Sequence, residues 1–467
     1  MQRKVLFLVL FVVSLVPFTR TLAEAQQQDK KGTGKSDPYK ALKDPDPGVR
    51  YRALSVLEKF GKSSKFASPI VVKMLDDPNT SVRIKAGQVL WNAGQITPQE
   101  LLPIYLEATR HKLPAFRAQA VVALRQMGLK ARGTLATIRR LLKDKDFNVQ
   151  YQAILTIAEL GPHAKSAVPE LLDVLETDKL GFLEAHVTFA LGKIGPRAVP
   201  RLRNALSDKN AKVRRGAAFA LSLMGTKAYR AVPELTKALK DDSPLVRAYA
   251  AKALGSIKMF ASDAVPSLKD ALNDKDELVG INAAIALWLI GEHKDGVPVL
   301  ASQLTTSKEP TIRENAAEAL RVFGEAGKPA IPALLQGLND KKAIVRERSV
   351  VTLGEMGEPA KDHLRSIQKL YQDNDIRVAI RAAQAGWNLT GKMDPSLQSV
   401  LKKAIDDESE IVRRDTAKII GQMGPKAKTI LPLLSSAIRD ENEQVKIAAR
   451  DAVKQIDPKL AKRLRFK

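Results

Sequence analysis

The chain has 467 residues, 76 Lys+Arg against 51 Asp+Glu for a net charge of +25, five His and no Cys. Without cysteine there can be no disulfide framework, thiolate metal site, thiol nucleophile or thioether link to a bilin or haem. Aromatics make up only 5% while Ala and Leu abound, which excludes a typical β-sandwich and suits helices built from small and medium side chains.

Arg3 and Lys4 precede an apolar run from Val5 to Phe18, interrupted only by Ser14 and Pro17. Ala23-Glu24-Ala25 follows, with small residues where a signal peptidase cuts. The run is shorter than the roughly 20 residues a spanning helix needs. Residues 1–25 therefore predict a signal peptide cleaved after Ala25. The alternative is a retained signal anchor, the one route by which this chain would hold a membrane. The expected destination is periplasmic, cell-surface or extracellular, and a cysteine-free chain suits an oxidising compartment. Residues 26–37 (QQQDKKGTGKSD) are polar and glycine-containing and predict a disordered tether.

From there on the chain repeats itself. The motif V-R-x-x-A-x-x-A-L-x-x-x-G starts at Val49, Val82, Phe116, Val149, Leu183, Val213, Val246, Val279, Ile312, Val345, Val378, Val412 and Val445, which number repeats 1 to 13. Counting each start as zero, position +4 is Ala in ten repeats, +8 is Leu in nine and +12 is Gly in ten. Apolar residues at 0, +4, +5, +7, +8 and +11 draw one stripe at a 3.6-residue period, which predicts a first helix. Glycine at +12 ends it in a left-handed conformation. After a short connector, Pro opens a second helix, as at Pro169, Pro200, Pro233 and Pro266. Turns such as Lys240-Asp241-Asp242-Ser243-Pro244 then lead into the next repeat. No period-two strand pattern occurs. One such hairpin cannot bury its own apolar face, so neighbours must stack into a single array over residues 38–467. Residues 38–44 predict a half-repeat cap at the start, and residues 458–467 a basic cap at the end.

The consensus D-x-x-x-x-V-R-x-x-A-A-x-A-L-G-x-I-G followed by A-V-P-x-L resembles the short bacterial HEAT repeat, including the subtype named after phycobilisome-lyase proteins. Val213 to Leu221 and Ala190 to Gly195 carry it most plainly. The resemblance covers Asp37 to Lys467 and implies an all-α, right-handed α-α superhelix of about 13 two-helix repeats. The period also matches ankyrin and TPR lengths, but the T-P-L-H run of the one and the Trp-Gly-Tyr spacing of the other are absent. Repeats of this kind serve scaffolds, assembly factors and a few enzymes, so fold alone does not select a function.

In HEAT-like arrays the Arg at +1 usually pairs with a turn Asp of a neighbouring repeat. The resemblance therefore implies a structural ladder joining Arg50, Arg83, Arg117, Arg214, Arg247, Arg313, Arg346 and Arg413 to aspartates such as Asp76, Asp144, Asp208 and Asp274. The competing reading is an anion-binding row. His111, His163, His186, His293 and His363 fall in five different repeats with none three or four residues from another, so no metal site is expected. No G-x-S-x-G elbow exists, and Gly32-Thr33-Gly34-Lys35 lacks the phosphate-loop spacing. No catalytic residue and no cofactor is expected. Trp91, Trp288 and Trp387 all stand at +9 and read either as fillers between diverging helices or as exposed anchors for a partner.

Charge is uneven. Arg110 to Phe147 in repeat 3 holds ten basic and two acidic residues, Lys193 to Arg215 in repeats 5–6 holds eight and one, and Glu159 to Glu184 between them holds two and six. Arg139, Arg140, Arg201, Arg203, Lys212, Arg215 and Lys237 are the candidate partner- or anion-binding residues. A nucleic-acid track wants a continuous stripe with interleaved aromatics, and neither is visible here. The expected function is an exported, non-enzymatic scaffold that binds a protein partner. The first alternative is a polyanion binder (nucleic acid, acidic glycan or lipid headgroup) acting through the two basic patches, and the second a lyase- or hydroxylase-like enzyme.

Overall fold

The computed structural model describes residues 38–63, 68–178 and 180–464. The expected signal segment, the tether and the last three residues of the closing cap lie outside the described residues. Among the described residues every regular element is helical. They form two compact units, one up to Thr156 and one from Ile157 onward, with the boundary inside repeat 4.

Repeat 6 shows how the sequence makes one unit of the stack. Asn210 accepts the Lys212 N–H and starts a helix over Ala211–Met224, which ends at Gly225 with φ 58°. Val213, Ala217 and Leu221 point inward and are buried. A fully buried Leu or Val contributes about 1.5–3 kcal/mol, so this stripe drives the stacking. The connector is more ordered than the sequence suggests. Gly225–Ala231 forms 3₁₀ turns that bury Ala228 and Ala231, and a seven-residue α-helix, Val232–Ala238, completes the repeat with Pro233 in its first turn. The same plan recurs in repeats 3, 4, 5, 7, 9 and 10, with a 3₁₀ connector before a short second helix.

Repeats 2, 8 and 11, which carry the three tryptophans, are built differently. Their first helices end on true left-handed residues, Gly94 (φ 69°, ψ 33°), Glu292 (56°, 30°) and Gly391 (61°, 16°). The elements that follow are continuous 11-residue helices, Pro98–Ala108, Gly296–Thr306 and Pro395–Ile405, with no 3₁₀ stretch before them. Two of these have strong start signals: Thr97 and Glu100 form a reciprocal capping box, and Asp394 accepts the Leu397 N–H. In repeat 2 the helix opens at Pro98, which leaves Pro103 in its interior. Pro103, the counterpart of the helix-opening prolines of other repeats, therefore lies more than a turn inside this helix, which begins without a 3₁₀ lead-in.

The tryptophan position is also where neighbouring first helices come closest or stand apart. At +9 of repeats 7, 10 and 12 the residue is Gly255, Gly354 or Gly421. A Cβ on Gly255 would lie 2.8 Å from the Ala286 Cα of repeat 8, and one on Gly421 2.8 Å from the Ala452 Cα of repeat 13. Those helices pack along much of their length, whereas the first helices of repeats 8 and 9 touch at few points. There Trp288 fills the seam, its ring centroid 4.9 Å from that of Phe323 in repeat 9.

In the first unit the single turn Pro38–Ala41 leads into Leu42, which is buried against Leu54 and Leu57. In the second, Asp457 caps the helix Pro458–Arg463, and Ala461 is buried.

Candidate interaction surface

The +1 arginines do not hang in solvent. Arg247 places Nε and Nη2 on both carboxylate oxygens of Asp274 at 2.7 Å, while its Nη1 donates to the carbonyls of Asp241 and Asp242. Asp274 in turn accepts the backbone N–H of Asp276. The side chains are 7% and 11% exposed. Each arginine thus grips the turn before its own helix and the turn that closes its repeat. Identical forks join Arg50 to Asp77, Arg117 to Asp144, Arg214 to Asp241, Arg313 to Asp340, Arg346 to Asp373 and Arg413 to Asp440. Burial alone would raise the Asp274 pKa, but the Arg247 fork, the Asp276 N–H and the surrounding positive charge outweigh it and hold the carboxylate below its ordinary range.

The partner always lies 27 residues after the arginine, and this corrects three assignments. Arg50 takes Asp77 rather than Asp76. Asp208 has no arginine fork, because the residue 27 before it is Gly181; its carboxylate accepts the Asn210 N–H and its carbonyl accepts from Arg214. Arg83 would need an acid at 110, where Arg110 stands, so it reaches Glu107 instead, whose side chain is 74% exposed. The three tryptophan repeats are all without the fork: repeat 2 for that reason, and repeats 8 and 11 because Gly280 and Ala379 replace the arginine. Polar side chains cross two of these seams instead, Gln88 to Gln126 and Gln384 to Gln422.

The seven candidate cations are divided between the two units. In the first, Arg140 is exposed and Arg139 is half-buried. In the second, Arg203 pairs with Glu234 at 2.6 Å, Arg215 pairs with Glu184 of the preceding repeat, and Lys212 donates to the Asp178 carbonyl at 2.8 Å. The Arg203 hydrogen bond is the main cause that lowers the Glu234 pKa. Arg201 and Lys237 are exposed. Three of the seven therefore hold the stack together, which thins the basic patch of repeats 5–6. Trp387 is 7% exposed and Trp91 and Trp288 are half-buried, so the tryptophans fill seams more than they present anchors.

Sequence reading missed an aromatic and basic edge in repeats 5–7. Lys193 Nζ sits 5.2 Å from the Phe189 ring centroid, the Arg230 guanidinium 5.7 Å from Tyr229, and Lys252 Nζ 5.6 Å from Phe219. Two of these pairs are legible in retrospect: Phe189 and Lys193 are four apart on one helix, and Tyr229 and Arg230 are adjacent. The third joins neighbouring repeats. Among the described residues no three His, Asp or Glu side chains gather as a metal cluster, and no helix is long and apolar enough to cross a membrane.

Comparison with known proteins agrees with this geometry. A family model for HEAT repeats matches residues 104–192, 168–242, 232–321 and 297–386. Kap121p bound to Nup53p superposes with TM-score 0.64 at 14% identity over 93% of this chain and 57% of that one. The Kap95:Nup1 complex gives 0.64 at 14% identity, covering 93% and 69%. Yeast importin-beta (Kap95p) gives 0.63 at 15% identity, covering 90% and 67%. The chain thus spans just over half of the Kap121p chain, and identities this low carry the fold alone. A search of curated proteins finds no match. With the repeat register, the helical hairpins and a family model matching more than half its length, the chain belongs to the HEAT-repeat family, an all-α solenoid fold.

Proposed function

We propose that the chain is an exported, non-enzymatic HEAT-repeat scaffold that binds a protein partner along its helical edges. The observation that carries this reading is the use made of the charges. Arg203, Arg215 and Lys212 are tied to acids or carbonyls of their own array, while exposed aromatic and aliphatic side chains stand beside cations in repeats 5–7. Protein interfaces are enriched in aromatic residues and Arg. The likeness of fold to solenoids solved in complex with Nup53p and Nup1 supports the same class of role. Export rests on the basic–apolar–A-x-A pattern of residues 1–25.

The test is capture from the periplasmic or secreted fraction of the native host on immobilised protein, titrated to saturation. A scaffold retains a defined protein that free chain competes away. Recovery of only nucleic acid, glycan or lipid, with a steep loss of binding as salt rises, would replace this reading with the polyanion alternative. Export itself is checked by the N-terminal sequence of the mature protein, expected to begin at Gln26.

A further inference from the structure

The connectors of repeats 5, 6 and 7 form one edge of the second unit. Adjacent connectors are in contact, repeat 5 with 6 and 6 with 7, and the Tyr229 and Phe260 rings of neighbouring connectors are 6.1 Å apart; at the ends of the first helices that lead into them, a Cβ on Gly192 would lie 3.2 Å from Leu223. This edge exposes large apolar side chains in a row, with Phe189, Leu223 and Tyr229 about half exposed, Phe260 58% and Met259 70%. A soluble surface rarely gathers such residues without a use for them. Its charge is mostly positive, with one exposed acid, Asp263, in the connector of repeat 7. Phe189–Ala198, Phe219–Ala231 and Lys252–Ala264 contain six cations, Lys193, Arg197, Lys227, Arg230, Lys252 and Lys258, against Asp263.

The backbone adds a second observation. Lys258 stands where repeats 5, 6 and 10 have Gly195, Gly225 and Gly357, and it adopts their conformation, φ 62° and ψ −143°. That region is essentially reserved for glycine, and a side chain there costs on the order of 1–3 kcal/mol. The array keeps a strained lysine next to an exposed methionine and an exposed phenylalanine, Met259 and Phe260, at a position where glycine would fit without strain.

We propose that this edge is a docking site for an acidic protein segment in which Glu or Asp alternates with aromatic or aliphatic residues. The apolar side chains would pack on Tyr229, Met259 and Phe260, and the carboxylates would meet Lys193, Arg197, Lys227, Arg230 and Lys258. Neighbouring repeats are spaced by about 10 Å. Three connectors then span about 20 Å, the reach of about six extended residues. The proposal rests on the reading of the chain as a protein-binding scaffold and specifies the chemistry of the segment it takes.

The probe is a fluorescent peptide of about ten residues alternating Glu with Phe or Leu, titrated by anisotropy into the full chain, beside a Gln-for-Glu version. Saturable binding that weakens at least tenfold for the Gln peptide, and at least tenfold in Met259→Ser/Phe260→Ser, is expected. Lys258→Gly should melt at a higher temperature yet bind several-fold more weakly, a split that a purely structural lysine would not produce. Circular dichroism checks that the exposed substitutions leave the fold intact. Equal affinity of all variants, or no binding to wild type, overturns the proposal. So does binding to phosphatidylglycerol-containing vesicles in preference to the peptide, which would assign the edge to a lipid surface. A host partner captured equally by wild type and Met259→Ser/Phe260→Ser would remove this edge and leave the scaffold reading standing, whereas capture of no partner at all removes the scaffold reading.

Discussion

The seam between repeats 7 and 8 and the seam between repeats 8 and 9 lie one repeat apart and are built on opposite principles. In the first, Gly255 lets the Ala286 backbone approach until no Cβ would fit, and the Arg247–Asp274 fork locks the turns. In the second, Trp288 occupies the same repeat position, the helices touch at few points, and neither Arg nor Asp is present to make a fork. In place of the fork, two bonds lie within repeat 8, Ser307 to the Glu277 carboxylate and Gln303 to the Glu277 carbonyl. One repeat length therefore supports both a close, charge-clamped contact and a wide, ring-filled one. Which is made depends on a handful of positions.

The largest effect is expected from breaking the clamp. Asp274→Ala leaves the Arg247 guanidinium buried without its acid and should cost about 3–5 kcal/mol in denaturant unfolding. Removing both charges, as in Arg247→Met/Asp274→Ala, should recover much of that loss. At the exposed counterpart in repeat 2, Glu107→Ala should cost about 0–1 kcal/mol. If Glu107→Ala proves as damaging as Asp274→Ala, burial is not what distinguishes the two kinds of seam.

The clamp also has a pH signature. The folded-state pKa of Asp274 lies below the ordinary carboxylate value, as do those of Asp241, Asp340 and Asp373. Such groups contribute stability that is complete above the unfolded-state pKa near 4 and is lost as pH falls through the lowered native value. Melting temperature should fall steeply below about pH 4, and Asp274→Ala should lose less than wild type over that interval.

Next come the two versions of position +9. Gly255→Leu should cost about 1–3 kcal/mol, because the new side chain meets backbone that cannot rotate away. Trp288→Ala should cost about 2 kcal/mol, below the range for a fully buried ring because Trp288 is half-buried. A stabilising Gly255→Leu would show that the close seam has slack. The smallest effects concern the helix ends. Lys258→Gly should stabilise by about 1 kcal/mol, and Glu292→Gly by less, because Glu292 sits in the left-handed basin that side chains tolerate at modest cost. Equal gains would mean that the two backbone conformations are equally strained.

Much of this was legible before any coordinates. The register of Ala at +4 and Leu at +8 located the first helices and their buried face, since an apolar stripe at helical period has one way to be buried. The family followed from the same letters. What the letters could not tell was the partner of each arginine. Asp76 and Asp77 look alike in sequence, and the choice between them depends on where the turn aims its carboxylate. The aromatic and basic edge was hidden for a related reason: Lys252 and Phe219, like Tyr229 and Phe260, meet only because neighbouring repeats stack.

By itself, then, the sequence determined what is local and periodic: the helical hairpin, its buried stripe, the glycine-terminated first helix and the number of repeats. Helix period and backbone conformation act over a few residues, and each repeat restates them. The tertiary structure decided what depends on distance between repeats. It divided the arginines between buried clamps and one solvent-facing pair, made tryptophan a spacer where glycine is a contact, and turned an apparent scatter of positive charge into stacking bonds plus one exposed edge. Those outcomes depend on differences of a few ångströms in helix approach, which no single repeat encodes.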